Sequence, residues 1–213
     1  MSLASEVRHE ALVMNAGVTS ERVYDALKAR LLGGAVLPGE RLEPKRLASL
    51  LASSVTPVRD ALHRLAGEQV VEMRTAEGFQ LPLVTEPGLR DLFSWNHELL
   101  RLALRRWPAG RPLPREAPPG GNNGDNVRAL FGAIASRSGS AELARQVEAA
   151  SDRLGAARVA EGRILPAIAD ELADLSAAIT DGDTAAVVRR VAAYHRRRLT
   201  HISAIVEAIY RGG

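Results

Sequence analysis

The chain has 213 residues, enough for one large domain or two small ones, and 46% of them are apolar. Aromatic residues make up only 4%, so aliphatic side chains must build the core, which favours packed helices. The sequence contains no cysteine, which excludes disulfides, thiolate metal ligands and cysteine nucleophiles and is compatible with a reducing cytoplasm. The net charge of +3 permits an anionic partner without indicating one.

Membrane insertion is not expected from this sequence. No apolar run approaches the ~20 residues that span a bilayer. Charged residues also interrupt the first 17 residues, which lack the apolar region of a signal peptide. We therefore expect a cytoplasmic protein with no membrane partner.

The first helical pattern follows residues 1–17, which are predicted to form an N-terminal tail. Thr19 or Ser20 can cap this helix, and a pair of glycines at 33–34 ends it. One face is lined by residues at helical spacing: Val23, Ala26, Leu27, Arg30 and Leu31. The spacing predicts a helix that packs this face against a core.

Two more helices and a hairpin are predicted next. A Pro-Gly turn at 38–39 leads into a short extended segment, and Pro44 is a favourable first residue for a second helix. A third helix is predicted from about Thr56 to Glu68. The segment after it alternates in hydropathy on either side of Gly78, which is the pattern of a β-hairpin. Together these elements over residues 18–85 are typical of a winged helix-turn-helix domain.

Residues 86–213 are predicted to form a second, all-helical domain. An amphipathic helix is expected over 86–107, and the Pro- and Gly-rich segment 108–124 is expected to be a loop. Asp183 is a predicted N-cap for one long last helix. The expected fold is therefore mainly α, with an N-terminal winged helix-turn-helix that has a β-hairpin wing and a C-terminal all-α helical bundle.

The predicted third helix has two chemically different faces. Apolar residues at positions i, i+3, i+4 and i+7 face a core: Val58, Ala61, Leu62 and Leu65. Polar residues occupy the other side: Thr56, Arg59, Asp60, His63 and Arg64. Pro57 fixes the entry of the chain in the first turn, where its missing N–H costs little.

Such a polar face has two interpretations. In an isolated helix it would by default be a solvated surface. Here a helix and a short turn precede it, which favours the second helix of a helix-turn-helix, the element that enters the major groove. The helix N-terminus can then bind a phosphate, and Arg59, one turn further along, can reach a base edge.

Several short motifs appear in a fixed order across residues 36–84. They are Pro38-Gly39 with Leu42, Leu47-Ala48, the run Ser54-Val55-Thr56-Pro57-Val58-Arg59-Asp60-Ala61-Leu62, and Gly78. In this order and spacing the segment resembles the DNA-binding domain of the GntR family of bacterial transcription regulators.

The resemblance implies particular DNA contacts. It implies that Arg59 contacts a base, that Ser54 and Thr56 contact phosphates, and that Lys45 adds a basic contact from the second helix. It also implies that the wing tip at Gly78 approaches the minor groove. Together with the outer face of the helix, the predicted contact set is Lys45, Ser54, Val55, Thr56, Arg59, His63, Arg64 and Gly78.

Two positions depart from the family pattern. Val55 stands where the family has an arginine between the Ser and the Thr, which removes a guanine reader and leaves a group suited to a thymine methyl. Ala52-Ser53 stands where the family has Gly-Val. We expect DNA binding to be retained, with a different operator sequence.

The second half resembles the helical FCD effector domain of the FadR subfamily, through "FGAIASRSGS" and "ADLSAAITDGDTAAVVRRVAAYHRRRL". Many such domains bind a divalent metal through an Asp-x-x-x-His pair and two later histidines, and the metal helps to hold a carboxylate effector. Here Arg128, Gly132 and Leu172 replace three of these ligands and only His195 remains. One imidazole cannot make a metal site, so no metal and no other cofactor is expected.

The interior of this domain is nevertheless predicted to contain polar groups. His195 falls in an inward stripe with Val188, Val191, Leu199, Ile202 and Val206. It either lines a pocket or is a satisfied core residue. A metal-free pocket for an anion would be formed by Asn96, Arg128, Leu172 and His195, and a packed interior is the alternative. The neighbouring basic run of Tyr194, Arg196, Arg197 and Arg198 is predicted to be a solvated face.

The expected function is a ligand-responsive transcription regulator that binds a palindromic double-stranded DNA operator as a homodimer. Repression is commoner than activation in the family. The effector would be a small organic acid or another small molecule. The alternative is a ligand-independent winged-helix module that binds DNA or protein and has a degenerate effector domain. The sequence has no nucleophile motif and no Gly-rich phosphate loop, so an enzyme is not predicted.

Overall fold

The computed structural model describes residues 20–74, 78–107 and 122–211. They form two compact units. The first comprises the described residues up to Leu31 together with Pro38–Pro82. The second comprises Leu32–Leu37 and the described residues from Leu83 onward. The predicted N-terminal tail and most of the predicted 108–124 loop lie outside the described residues.

The first unit contains three helices: α1 over residues 20–32, α2 over Pro44–Leu50 and α3 over Val55–Gly67. Its core is mainly aliphatic, and the residues with no exposed surface are Leu27, Val58, Leu62 and Leu65. All four apolar residues predicted to line the inner face of α3 are buried, so that prediction is confirmed.

The predicted inner face of α1 needs a correction. Ala26 and Arg30 are exposed, whereas Tyr24 is buried. The spacing did not reveal this because Tyr24 is covered by side chains from α3, as described below. Three of the predicted residues, Val23, Leu27 and Leu31, do lie in the core.

The turn between α2 and α3 is closed by backbone hydrogen bonds. The Ser53 N–H donates to the Ala48 carbonyl at 3.0 Å, and the Ala52 N–H donates to the Ser49 carbonyl at 3.4 Å. This is the pattern of a Schellman motif, and Ala52 has the left-handed conformation that the motif requires, with φ of 47°. The motif ends α2 at Leu50, and α3 begins at Val55, three residues after Ala52.

The wing is a three-stranded antiparallel sheet in the order β1-β3-β2. Its strands are β1 (Arg41–Leu42), β2 (Glu72–Arg74) and β3 (Gly78–Gln80). In the register, Leu42 and Met73 both lie opposite Phe79 of the central strand. The predicted hairpin is therefore confirmed, and the short extended segment before α2 adds a third strand. Residues 75–77, which join β2 to β3, lie outside the described residues.

The second unit is all-helical in the part that the structure describes. Its helices are α4 (Glu86–Arg105), α5 (Asn123–Arg137), α6 (Ala141–Arg153), α7 (Gly155–Ile164), α8 (Ile168–Asp181), α9 (Thr184–Thr200) and α10 (Ile202–Arg211). One continuous cluster of buried side chains joins them, with Phe93 and Phe131 fully buried among aliphatic residues. None of the described helices is both long and apolar enough to cross a membrane.

Two predicted boundaries in this unit are wrong. The predicted loop extends to residue 124, but Asn122 caps α5 with a capping box to Asp125, so a helix begins at Asn123. The predicted long last helix is two helices, because the chain turns at His201 between α9 and α10. The predicted N-cap at Asp183 is confirmed, since its side chain accepts from the Ala186 N–H.

Candidate nucleic-acid interface and interior polar cluster

The N-terminus of α3 leaves backbone donors available. Ser54 is the N-cap residue, but its side chain makes no capping hydrogen bond. The N–H groups of Val55 and Thr56 lie in the first turn, where an α-helix offers no backbone acceptor. Ser54 and Thr56 are exposed, and Val55 is half-buried between them. The first turn therefore presents N–H groups and two hydroxyls to solvent, as an anion site at a helix N-terminus does.

The outer face of α3 carries Arg59 and His63. Both side chains are exposed, and so is that of Asp60. The His63 ring packs edge-on against Phe79 of β3, with centroids 4.9 Å apart and an interplanar angle of 79°. This contact places the wing strand that begins at Gly78 beside the outer face of α3, so the helix and the wing form one continuous surface.

Arg64 has a different environment from the one predicted. Its guanidinium lies 3.6 Å from the centroid of the Tyr24 ring, and its Nη1 pairs with Glu21 at 3.0 Å. Its Nε also lies 3.6 Å from Glu68. Glu21 and Tyr24 belong to α1, so Arg64 joins α3 to α1. The Arg64 side chain is still 49% exposed, so it lies at the edge of the surface and its predicted DNA contact stays a prediction.

The same network fixes the charge of Glu68. Burial alone would raise the pKa of this carboxyl, but hydrogen bonds from Lys28 and Tyr24 outweigh it and hold the pKa below its usual value. The Tyr24 hydroxyl donates to Glu68 at 2.7 Å, and Lys28 Nζ pairs with the carboxylate at 2.8 Å. The C-terminal end of α3 is thereby attached to α1 by charge-assisted hydrogen bonds.

Lys45 lies in the first turn of α2 and is exposed. Its carbonyl accepts a hydrogen bond from the Ser49 hydroxyl at 3.2 Å, and its ammonium group extends from the helix that precedes the recognition helix. Seven of the eight predicted contact residues are exposed or half-buried and lie outside the Arg64 network. They are Lys45 of α2, Ser54, Val55, Thr56, Arg59 and His63 at α3, and Gly78 at the start of β3.

The second unit contains a cluster of buried polar residues that we call the interior polar cluster. Its members are at most 3% exposed: Asn96, Ser151, Asp152, Arg158, Glu161, Tyr194, His195 and Arg198. Arg198 Nε pairs with Glu161 at 2.9 Å, and its Nη1 pairs with Glu171 at 2.6 Å. The Tyr194 hydroxyl donates to Glu161 at 3.3 Å, and burial together with this carboxylate raises the pKa of Tyr194 to about 12.

The prediction of a solvated face on α9 is therefore wrong for two of its four residues. Tyr194 and Arg198 are buried, whereas Arg196 is exposed and Arg197 is half-buried. Tyr194 and Arg198 are four residues apart and continue the buried face of Val187 and Val191. The predicted inward position of Val188 is also wrong, because 45% of its surface is exposed.

His195 is fully buried, as predicted, and uncharged. Burial lowers its pKa to about 3, although the hydrogen bond to the Val191 carbonyl opposes the shift. Its Nδ1–H donates to that carbonyl at 2.8 Å, and its Nε2 lies 3.1 Å from the Asn96 side-chain oxygen. The ring also stacks on His97, with centroids 4.7 Å apart.

Arg158 was not among the predicted site residues. Its guanidinium is fully buried 5.2 Å from the centroid of Phe131, donates to the Ser151 carbonyl at 3.3 Å and lies 3.5 Å from the Asn96 side-chain oxygen. These partners are neutral. Its Nε and the Ser151 hydroxyl have no hydrogen-bond partner within the described part of the chain. A sequence signal was available: Leu154, Ala157, Arg158 and Glu161 share one helical face, so two charges interrupt an apolar stripe.

The four predicted effector residues do not form one pocket. Asn96 and His195 are in contact inside the interior polar cluster. Arg128 instead pairs with Glu148 at 2.7 Å and Asp152 at 2.9 Å, and it lines a surface cavity of about 440 Å3 between α5 and α6. Leu172 is part of the apolar core on α8. Arg158 supplies the cation next to Asn96 that was predicted for Arg128.

Among the described residues, no group of three or more His, Asp or Glu side chains is placed to hold a metal ion. The positions aligned with the family's metal ligands are Arg128, Gly132, Leu172 and His195, and their chemistry does not fit a divalent cation.

Comparison with known proteins agrees with the architecture of the first unit. Residues 19–81 match the family model described as bacterial regulatory proteins, gntR family. Over these residues the chain is similar to the helix-turn-helix domain of the GntR family. The match covers α1, the helix-turn-helix and the wing, and it ends close to the boundary of the first unit.

Two relatives from Escherichia coli strain K12 match the same part of the chain. The HTH-type transcriptional regulator McbR is 37% identical over 83 residues, 39% of this chain and 38% of that protein. The HTH-type transcriptional repressor GlaR is 33% identical over 93 residues, 42% of each chain. The chain thus spans about two fifths of the length of the curated relatives it matches.

The similarity of fold extends further than the similarity of sequence. The solved structure of E. coli McbR superposes with a TM-score of 0.64 over 87% of this chain and 97% of that chain, at 22% sequence identity. At this identity the likeness concerns the fold alone. The fold is accordingly a winged helix-turn-helix followed by an all-α bundle, as the sequence predicts.

Proposed function

We propose that this chain is a sequence-specific DNA-binding transcription regulator. The observation that carries the proposal is the first turn of α3. It has no side-chain cap, presents free N–H groups and the hydroxyls of Ser54 and Thr56, and lies at the exposed end of a helix within a GntR-family domain. The names of the two E. coli relatives support a role in transcription regulation, and the name of GlaR supports repression rather than activation.

Each contact residue has a distinct role in this proposal. Ser54, Thr56 and the adjacent N–H groups bind a phosphate. This contact fixes the position of the helix along the DNA but does not distinguish one base sequence from another. Arg59 reads a base edge in the major groove, where a bidentate arginine selects guanine. Val55 offers a half-buried apolar group for a thymine methyl. Lys45 binds the backbone, and the wing that begins at Gly78 approaches the neighbouring groove.

The regulator would act in the cytoplasm as a homodimer on a palindromic operator. A single recognition helix reads only a few base pairs, and a two-fold pair doubles the site and matches its symmetry. His63 is held against Phe79 and would contact the backbone next to the wing. Arg64 pairs with Glu21 but is 49% exposed, and it would contact the DNA backbone at the edge of the surface.

The test replaces Arg59 with alanine. We expect specific operator binding to weaken by about 1–3 kcal/mol, while binding to scrambled DNA weakens much less, because Arg59 reads a base. Arg163→Ala, which removes an exposed arginine from α7, is the control for loss of one positive charge. Affinities are measured by fluorescence anisotropy against salt on an operator found by footprinting. Equal affinity of the wild type for operator and scrambled DNA would contradict sequence-specific binding.

We further propose that the helical unit is an FCD-type effector domain of the FadR subfamily that holds a small organic acid without a metal. The support is the interior polar cluster, in which Arg158 has neutral partners and Asn96, Ser151 and Arg158 each keep a polar atom without a hydrogen-bond partner in the described part. A carboxylate would satisfy these donors and neutralise a buried guanidinium. The alternative is a ligand-independent module, and the packed apolar surroundings of the cluster favour it.

A thermal-shift screen separates the two. Succinate, citrate and benzoate serve as probes, and binding of any of them should raise the Tm of the wild type in proportion to RT ln(1 + [L]/Kd). Arg158→Lys, which keeps the charge but loses the fork of donors, should reduce the shift. If none of the carboxylates raises the Tm and none changes DNA binding, the ligand-independent module is favoured.

A further inference from the structure

Two arginines lie on either side of a pair of buried residues near the end of α6. Ser151 and Asp152 are each 3% exposed. The Nε of Arg128, on α5, pairs with Asp152 at 2.9 Å. The Nη1 of Arg158, on α7, donates to the Ser151 carbonyl at 3.3 Å. The side chain of Arg128 is 37% exposed, whereas Arg158 is fully buried. Ser151 and Asp152 therefore connect the guanidinium inside the interior polar cluster to one that reaches solvent.

The solvent-reaching arginine lines the surface cavity of about 440 Å3 between α5 and α6. Small residues on both helices leave this space, namely Ala129 and Gly132 of α5 and Ala144 of α6. Among the described residues, no atom outside the local helix lies within 4 Å of the place that a Cβ atom on Gly132 would take. A cavity of this volume is large enough for a small organic molecule.

The polar atoms that lack partners lie at the end of the cluster closest to Asp152. They include the Ser151 hydroxyl and Arg158 Nε, which have no hydrogen-bond partner among the residues that the structure describes. Arg198, by contrast, already pairs with two carboxylates, one of which is the half-buried Glu171. Because a buried donor without a partner is unfavourable, a ligand gains most at the end that contains Ser151 and Arg158.

Glu148 occupies Arg128 at the mouth of the cavity. Its carboxylate pairs with Arg128 Nη2 at 2.7 Å and is 59% exposed. An ion pair this exposed contributes little to stability, so it opens readily. The pair between Arg128 Nε and Asp152 is more protected, since Asp152 is almost fully buried. An incoming carboxylate can therefore replace Glu148 on Arg128 Nη2 while Asp152 keeps Arg128 in place.

We propose that the α5–α6 cavity is the entrance to the interior polar cluster and that the pair of Arg128 and Glu148 is its gate. A carboxylate displaces Glu148 from Arg128 and then moves past Ser151 to Arg158. The inference rests on the proposed metal-free effector domain and identifies the route by which its ligand enters. Arg128 then acts in entry and Arg158 in final binding, which accounts for two cations at different depths.

The first test measures access to the cluster with a single thiol. Ser151→Cys introduces a thiol into a chain that has no cysteine, and the replaced hydroxyl has no hydrogen bond to lose within the described part. The thiol is reacted with sulfonatoethyl methanethiosulfonate, which is anionic, or with methyl methanethiosulfonate, which is neutral. Both should label the folded protein at a rate that does not rise in dilute urea, because labelling through global unfolding would rise with urea.

Filling the cavity should slow this labelling. Gly132→Leu, added to Ser151→Cys, should lower the rate at least about tenfold relative to Gly132→Ala, because a blocked route raises the barrier to reaching the thiol. Gly132→Ala is the matched control, since it also replaces a helical glycine but adds only one methyl group. Circular dichroism and urea unfolding confirm that each variant is folded.

The second test opens the gate. Glu148→Gln removes the competing carboxylate and should speed labelling by the anionic reagent about 2- to 5-fold at low salt, with the neutral reagent almost unchanged. The matched control is Glu142→Gln on the same helix. Glu142 is 63% exposed and pairs with Arg145, and it does not line the cavity. The control should leave both labelling rates unchanged.

The outcomes separate the entrance from the effector domain. Equal labelling of Gly132→Leu and Gly132→Ala, or no labelling of the folded protein, would overturn the entrance, even if carboxylates raise the Tm. A Glu148→Gln variant that accelerates both reagents equally would overturn the gate and leave the cavity as the route. Labelling that depends on the cavity, in a protein whose Tm no carboxylate raises, would overturn the organic acid as effector and support the route.

Discussion

Ala52 is the residue at which the helix-turn-helix departs from ideal backbone chemistry. It occupies the left-handed position of the Schellman motif that ends α2, with φ of 47°. Glycine is the usual residue there because a Cβ atom clashes with the backbone in this conformation. The GntR-like pattern places glycine at this position, and this chain has alanine. The conformation is retained because α2 and α3 must turn sharply, so the chain carries a local strain.

Ala52→Gly should therefore stabilise the protein. We expect the free energy of unfolding to rise by about 1 kcal/mol, because glycine removes the left-handed penalty of an L-residue. Ala29→Gly is the control, since Ala29 is exposed within α1 and glycine should lower stability there by about 1 kcal/mol. Urea unfolding followed by circular dichroism measures both. If Ala52→Gly lowers stability as Ala29→Gly does, the turn carries no such strain.

His195 is the residue whose charge is most strongly suppressed by burial. The neutral ring is held between the Val191 carbonyl and Asn96 and stacks on His97 and Phe131. Burial holds its pKa at about 3, against 6.5 for a free imidazole. The unfolded chain therefore binds a proton at a pH where the folded chain does not. The contribution of His195 to stability is present above pH 6.5 and is lost as the pH falls toward 3.

Acid should accordingly destabilise the protein through His195. Between pH 7 and pH 5 the free energy of unfolding should fall by about 2 kcal/mol more in the wild type than in His195→Gln, since each pH unit below 6.5 costs about 1.4 kcal/mol. Burial also lowers the pKa of His97, so His97→Gln serves as the second reference. Equal pH dependence in the wild type and His195→Gln would show that His195 is not buried neutral.

At the scale of elements, α7 and α9 are joined by buried charges. Glu161 of α7 accepts from Arg198 and Tyr194 of α9 and from the Asn123 amide at 2.9 Å. All three groups around the carboxylate are donors, and the low polarity of the interior strengthens each interaction. Glu161 and Arg198 are both fully buried, so the packing of both helices depends on the charge of Glu161.

Glu161→Gln should be strongly destabilising. The substitution removes the fully buried carboxylate of the pair and leaves Arg198 with only the half-buried Glu171, so we expect a loss of about 3 kcal/mol. Glu98→Gln is the control, because Glu98 forms an exposed pair with Arg101 worth under about 0.5 kcal/mol. Chemical unfolding at pH 7 compares the two. A Glu161→Gln variant as stable as Glu98→Gln would mean that water or relaxation compensates Arg198.

Element order and type were largely predictable from the sequence. The apolar spacing of α3, the alternation on either side of Gly78 and the cap at Asp183 are local signals, and the structure has α3, the hairpin and α9 where these signals indicate. The break at His201 was missed because apolar residues continue at helical spacing through α10. The helix begun at Asn123 was missed because its capping box lies in a segment otherwise rich in Pro and Gly.

The sites were less predictable than the elements. Arg59 and His63 were placed on the outer face by the periodicity of one helix. Arg64 lies on the same side of that helix, but its partners Glu21 and Tyr24 come from α1. Arg158 and Arg198 were missed because a buried arginine requires carboxylates or other hydrogen-bond acceptors, which come from other helices. Spacing along one helix contains no information about those partners.

At the scale of the whole molecule, the sequence by itself determined two parts: a winged helix-turn-helix with an apolar and a polar face on its recognition helix, and an all-helical second half. These follow from periodicity, capping and turn residues, which act over a few positions. Only the tertiary structure decided which charges are buried. The pairing of Arg198 with Glu161 joins residues 37 positions apart. Desolvation and ion pairing depend on distance in space, so only the packed chain could show that Arg64 pairs with Glu21 of α1 and that Arg158 lies inside the bundle.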